Sequence, residues 1–419
     1  MTSRHQPSGR FTFTAVLLSA LLLTGVASAQ RTTVTFWTWV NLEPAVAAFE
    51  AQHPDIDVEI VTFGPWDLHD KLLTALAAGT GAPDLAQLVI RRFDAYLETG
   101  QLADLTPFVT PDHRASVPES IWTAAMSGDQ VLGLPTDFGP GVVWYRRDLF
   151  EQFDIRVPIE TWDDFIEAGR RILEGTNGEV HMMPLYVPSG QWGVASFAQF
   201  LHSRGGNLYA PDGGLIRDNE LLLDTLQWYY DLAEVYGIAY PVPWFTPSFW
   251  ALVSAGRFAT LPANTAEGRN IQRFAENQAG QWGIMPWPKW SADEPERTGI
   301  WGGNVLAVPA QSRNQEAAAT FAKWLTGSVE GQVAYFENVG GMPVYAPARE
   351  TPRLQQAEEF FGGDVIANNL LPTENWYWFS EAETTVLLGE QIDNLFEGQV
   401  DVAEAIRRFE AAVAQRIGR

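Results

Sequence analysis

From Thr33 onward the apolar positions alternate between two periods. VTFWTWV (34–40), rich in β-branched and aromatic residues, reads as a strand whose alternate side chains share a face. NLEPAVAAFEAQHP (41–54) changes to helical spacing, with Asn41 as the expected N-cap and Pro44 in the first turn. Val46 and Phe49 share its apolar face, and Pro54 ends it. IDVEIVTF (56–63) alternates again, WDLHDKLLTALAAGTG (66–81) is helical up to Gly79, and PDLAQLVI (83–90) is a third strand. Strand–helix–strand–helix–strand predicts parallel pairing through right-handed crossovers, an α/β fold. No GxGxxG follows any of these strands, so no dinucleotide cofactor is expected.

Beyond residue 130 three stretches look like passages between two lobes. LPTDFGPGVVWYRRDLF (134–150) is a Gly/Pro-interrupted piece running into an apolar strand, and Thr161 caps a helix over TWDDFIEAGRRIL (161–173). An aromatic-rich helical middle extends to Gly280, after which QWGIMPWPKW (281–290) and GIWGGNVLAVPA (299–310) return to strands. NQEAAATFAKWLTG (314–327) is an amphipathic helix, NVGGMPVYAP (338–347) is the third turn-rich stretch, and two helices end the chain. This crossing back and forth divides the chain into 30–138 with 284–332 as one lobe and 139–283 with 333–419 as the other.

The first 29 residues stand apart from this pattern. Arg4 and Arg10 precede the apolar run AVLLSALLLTGV (15–26), and Ala27-Ser28-Ala29 is an A-x-A cleavage pattern. A cleaved signal peptide is expected, giving a soluble periplasmic or secreted chain without a lipid anchor. The sequence contains no cysteine, which excludes disulfides, thiolate metal sites and cysteine nucleophiles. The net charge of −24 repels nucleic acid and anionic lipid. No GxSxG, HExxH or GxxxxGK[ST] occurs, and the histidines lack ligand spacing, so neither metal nor other cofactor is expected. The 17 tryptophans are the positive signal: they fit a ligand with a flat face.

Several ordered segments then resemble one family. TFWTW with AFEAQHPDIDVE, GTGAPDLAQLVIRRFDAYLETGQLADLTPFV, GLPTDFGPGVVWYRRDLFEQFDIRVPIETWDDFIEAGRRI, FLHSRGGNLY, ALVSAGRF, WGGNVLAVPAQSRNQEAAATFAKWL and VGGMPVYAP are similar to segments of the family 1 extracellular solute-binding proteins of ABC importers. This group includes maltose- and trehalose-type sugar receptors. The resemblance covers nearly all of the chain after the leader. It implies a type II periplasmic-binding-protein fold, two Rossmann-like lobes joined by a multi-strand hinge. It also implies a monomer that closes on a carbohydrate and presents it to the permease subunits of an ABC transporter, with no enzymatic activity.

Candidate ligand contacts follow from position and from that resemblance. Trp37 and Trp39 share a face of the first strand and lie where open α/β sheets place ligands, at the carboxyl end of a parallel strand. Asn41 is a hydroxyl partner or only a cap. Asp137, at the first crossing, is an acceptor of sugar hydroxyls or a turn-stabilising aspartate. Arg91 departs from the acidic or small polar residue usual in the family, and bears on whether the sugar is neutral or acidic. Arg146 departs from the family's asparagine, with a solvated side chain as its plain reading, as for Arg92. Gln191, Trp192, Asn264 and Glu267 are expected contacts of the second lobe. Trp301, Gly303 and Asn304 form a WGGN run whose glycines allow close backbone approach or a tight strand entry. Trp376 and Trp378, in NWYWF, are expected stacking rings. Two competing readings are a secreted glycosidase using Asp137 and Glu267 as its acid pair, and a receptor for a polyamine or another small solute.

Overall fold

The computed structural model describes residues 31–188, 190–209, 215–217, 219–372, 376–377 and 385–417, without the side chains of 120, 190–192, 376–377, 385 and 417. The expected leader lies outside the described residues.

Strand β1 (Thr32–Thr38) lies parallel to β2 (Ile56–Thr62) over its whole length and parallel to β3 (Leu85–Val89) at Phe36 and Trp37. Helices α1 (Glu43–Gln52) and α2 (Pro65–Ala78) make the crossovers. Val34 and Phe36 point into the core, where Phe36 and the α1 residue Phe49 meet Phe321 edge-on at 5.7 and 4.9 Å. Gly79 ends α2 in the left-handed region (φ 68°), a conformation that costs glycine no steric strain. Asn41 is not the N-cap: α1 begins one residue later, with Leu42 at the cap, and the Asn41 side chain accepts from the amide of Glu43. Pro44 already removes one of the donors that a cap would satisfy.

The piece read as Gly/Pro-interrupted is a continuous thirteen-residue strand, Leu134–Arg146, buried throughout. Its first half pairs antiparallel with the return strand Thr298–Ala307, and its second half with Thr260–Asn264 and Trp282–Pro286. The return strand in turn lies antiparallel to β3. The sheet therefore runs Trp282–Pro286, Leu134–Arg146, Thr298–Ala307, β3, β1, β2. The glycines do not break the long strand; they let other chains cross it. A Cβ at Gly139 would lie 2.5 Å from the Trp301 carbonyl oxygen, and one at Gly141 would collide with the Thr298 hydroxyl.

A second hydrophobic core is built by helices Trp162–Gly175, Gly190–Ser203, Glu220–Glu234, Thr385–Phe396 and Val402–Ile417. Trp162 is its centre, with Phe165, Phe200, Trp228 and Trp287 within 5.5 Å of its ring. Thr161 caps the first of these helices through a reciprocal bond with Asp164. Helix Val329–Val339 packs on α1 and on Gln315–Gly327, and Met342–Pro343 pairs with the long strand at Phe138 and Asp137. Tyr335 and Phe336 bury into the same core as β1 and β3.

Candidate functional site

The carboxyl ends of β1 and β3 carry an aromatic cluster. β1 stops at Thr38, so alternation does not govern Trp39, and the two tryptophans settle on different neighbours. Trp37 meets Phe63 edge-on at 4.9 Å, while Trp39 stacks over His69 of α2 with ring centres 6.1 Å apart. Trp66 lies 5.9 Å from the same imidazole, and the Arg92 guanidinium sits 5.2 Å over the Trp66 ring. Trp37, Trp39, Trp66 and Arg92 are all half-buried. His69 itself is buried and held on both nitrogens. The amide of Val89 donates to Nε2 (3.3 Å), Nδ1 lies 2.7 Å from the Tyr96 hydroxyl, and that hydroxyl donates to the His69 carbonyl (3.3 Å). This pattern requires the neutral Nδ1–H tautomer. Burial, reinforced by Arg92 and Arg91, pushes the imidazole pKa down to about 3. The platform beneath Trp39 is therefore rigid and uncharged at any physiological pH.

Where the long and return strands cross, one carboxylate oxygen of Asp137 gathers three hydrogen bonds. Its Oδ1 accepts from Thr136 (2.9 Å), Asn304 Nδ2 (2.8 Å) and the Tyr335 hydroxyl (3.1 Å). Gln87 donates to the Tyr335 oxygen (3.0 Å) and receives the Thr38 hydroxyl proton, linking the end of β1 to the crossing. Burial raises the Asp137 pKa, and bonds from Asn304, Thr136 and Tyr335 oppose it. The return strand bulges between Ile300 and Gly303. Gly303 has φ 137°, and a Cβ there would lie 2.8 Å from the Asp137 carbonyl oxygen. The same position brings the bulge against Ile90, next to Arg91, which is 1 % exposed.

The far side of the crossing is a second cluster. Asn264 donates from Nδ2 to the Trp301 carbonyl (2.8 Å), and its Oδ1 accepts from the Glu267 amide (3.2 Å). Trp301 is 2 % exposed; its ring lies 5.7 Å from Tyr186 and 5.2 Å from Trp244. Glu267 is 3 % exposed, and its Oε2 accepts from Asn270 (3.0 Å). Burial raises its pKa to about 7, with Asn270 and the Trp244 indole drawing it partly back.

Of the residues expected at the site, Trp39 and Arg91 fall at the ends of β1 and β3, Asp137, Gly303 and Asn304 at the crossing, and Asn264, Glu267 and Trp301 beyond it. Asn41 is exposed at the start of α1. The side chains of Gln191, Trp192 and Trp376, and all of Trp378, lie outside the described residues; the backbone of Trp376–Tyr377 pairs with Thr298 and Gly299. Arg146 is buried rather than solvated, paired with Asp148 (2.6 Å) and Gln281 (2.8 Å). Trp66, His69, Tyr96, Tyr186, Trp244 and Tyr335 were not singled out from sequence. Only Trp66 carried a usable signal, since it follows the carboxyl end of β2.

Two α/β lobes sharing crossing strands, with rings gathered at strand ends, define a two-lobed solute receptor. Residues 41–332 match the family described as bacterial extracellular solute-binding protein, and the chain belongs to that family. An arabinooligosaccharide-binding protein of Halalkalibacterium halodurans is 28 % identical over 360 residues, covering 81 % of this chain and 78 % of that one. A lactose-binding protein of Rhizobium radiobacter is 26 % identical over 398 residues, 89 % and 90 % of the two chains. Two solved structures share the fold. The galacto-N-biose-/lacto-N-biose I-binding protein of Bifidobacterium longum has a TM-score of 0.75 at 21 % identity, covering 93 % of this chain and 98 % of that one. The cyclic alpha-maltosyl-1,6-maltose binding protein of Arthrobacter globiformis has a TM-score of 0.76 at 18 % identity, covering 91 % and 98 %. The fold is the type II periplasmic-binding-protein fold, and the family places the chain's work outside the cytoplasm.

Proposed function

We propose that the protein captures a di- or short oligosaccharide between its lobes and delivers it, uncleaved, to the permease of an ABC importer. The observation that carries this reading is the half-buried Trp39–Trp66 pair on a neutral, doubly anchored His69 at the ends of parallel strands. A pyranose or furanose lays its C–H face on such indoles while its hydroxyls take polar partners at the rim. Relatives named for arabinooligosaccharides and lactose support the same ligand class. A hydrolytic role for Asp137 is disfavoured by the three hydrogen bonds on its Oδ1. Ligand binding shifts an open–closed equilibrium of the lobes, and the closed form docks on the permease. In the proposed division, the third passage between lobes follows residue 343. The leader is removed, no lipid anchors the chain, and it acts as a monomer.

Isothermal titration against arabinotriose, lactose, maltose and lacto-N-biose tests the reading. At least one sugar is expected to bind with a Kd in the micromolar range or below. Silence across these and longer glycans, or release of new reducing ends on incubation, overturns it.

A further inference from the structure

We propose that the protein carries a second ligand site, apart from the candidate sugar site: a cavity beside the second core that takes a zwitterion with an apolar side chain, an amino acid or dipeptide. The cavity measures about 500 Å³, within the range of small-molecule sites. It lies between helix Trp162–Gly175, the segment 155–160 before it, and the segment 286–296. None of its lining residues belongs to the rings at the ends of β1 and β3, to the crossing, or to the Trp301 cluster. Its floor is apolar, since Ile155, Ile159, Ala168 and Trp287 are members of the second core.

Trp287 gives the first sign of a ligand. It is 2 % exposed, and its indole N–H has no hydrogen-bond partner. The ring is wedged in place. Trp162 and Phe200 each lie 5.1 Å from it, and Gly141 of the long strand meets its benzo edge so closely that a Cβ there would come within 2.8 Å. A buried donor without a partner is rare, and on a cavity wall a bound molecule can serve it.

The helix gives the second sign. Glu167 and Arg171 both line the cavity four residues apart, the spacing at which an acid and a base ordinarily pair. Among the described residues they form no ion pair, and Arg171 reaches only the Phe153 carbonyl, at 3.4 Å. Lys289 and Glu160 also line the cavity, 3.9 Å apart and beyond hydrogen-bond range. Both signs of charge are thus left open on one wall.

Their chemistry selects the ligand. An indole N–H donates only, a guanidinium or ammonium calls for an anion, and Glu167 calls for a cation. One molecule answers all of them: its carboxylate accepts from Trp287 and faces Arg171 or Lys289, its ammonium meets Glu167, and its apolar side chain lies on Ile155 and Ile159. A neutral sugar serves the N–H but leaves the charges unused. A simple carboxylate leaves Glu167 unserved, and a polyamine leaves the N–H and both cations without partners.

The test titrates the full mature chain with leucine, phenylalanine and leucyl-leucine by calorimetry. It also follows the indole N–H signals of protein grown on nitrogen-labelled tryptophan, with Trp287→Phe identifying the Trp287 signal. At least one probe is expected to bind with a Kd between about 1 μM and 1 mM and to move that signal downfield. Arg171→Ala and Glu167→Gln, both at exposed positions, are each expected to weaken binding about tenfold and to melt as the wild type does. N-acetylleucine and leucinamide, each lacking one charge, are expected to bind about tenfold more weakly than leucine. The proposal is overturned by the absence of saturable binding, by unchanged affinity in either variant, or by a blocked leucine that binds as tightly as the free one. A probe that leaves the Trp287 signal unmoved overturns it too. None of these readings requires a sugar to bind, so the oligosaccharide reading stands or falls on its own titration.

Discussion

Two tryptophans that look alike in the sequence do opposite work. Trp39 is half-buried over a rigid imidazole, so Trp39→Ala is expected to cost ligand affinity about 10- to 100-fold, as truncated aromatic anchors do, with little change in melting temperature. Trp301 is packed among Tyr186 and Trp244, and Trp301→Ala is expected to destabilise the fold by about 3–5 kcal/mol. Sugar titration and denaturant unfolding of both variants separate the two roles; equal loss of stability contradicts the assignment. The residue types at the candidate site were legible in the sequence, and the strand-end rule points to the same end of β1 at which the half-buried rings gather. Which way each ring points was not. Trp39 escapes the alternation because β1 stops one residue earlier, and the bulge before Gly303 changes register just after Trp301. His69 was passed over as a lone histidine, because its partners Tyr96 and Val89 come from other elements.

The parallel units were legible because α1, α2, β1 and β2 each bury one periodic face and β3 is a short apolar run buried throughout. The long strand was not, since proline and glycine read as punctuation in a single chain. Their real cause is crowding, visible only once the return strand and Thr260–Asn264 lie alongside. Gly139→Ala is accordingly expected to destabilise by about 1–3 kcal/mol, the cost of overpacking, because the added carbon meets the backbone oxygen of Trp301 and Asn264 Cβ at 2.5 and 2.7 Å. Gly79→Ala, at positive φ but with open space around it, is expected to cost only about 1 kcal/mol. Urea midpoints of the two variants check the order; a Gly139→Ala chain as stable as wild type rules out the close crossing. That Tyr335 and Phe336 reach the core of β1 and β3 was likewise hidden, because nothing in residues 329–343 shows it.

For the whole molecule, buried titrating groups set the response to acid. His69 and His202 are held near pKa 3 and His113 near 4 by burial, all below the ordinary 6.5. Each contributes stability that is present above pH 6.5 and lost as pH falls, because the unfolded chain takes up a proton that the fold refuses. Each such group has a slope of about 1.4 kcal/mol per pH unit, so three give about 4. Glu267 acts in the other direction. Its raised pKa makes its burial most costly above pH 7, and that cost fades toward pH 4.5. Asp137, raised by burial, acts with Glu267, and His181, lowered by burial, acts with the other three histidines, so the histidines stay in control. The melting temperature of the ligand-free protein is expected to fall steadily from pH 6 to pH 4.5, and a flat or rising profile in a fluorescence melt contradicts the burial of these histidines.

The place of the return strand has a further consequence, in time rather than in space. Thr298–Ala307 inserts between β3 and the long strand, so the edge of β3 has no neighbour on that side until some two hundred more residues have been made. Contacts between segments so distant along the chain form late. A ribosome releasing this chain from its amino end therefore exposes a half-finished sheet for most of synthesis. That delay suits a polypeptide whose work lies outside the cytoplasm, because a chain still open is easier to carry across a membrane than one already closed.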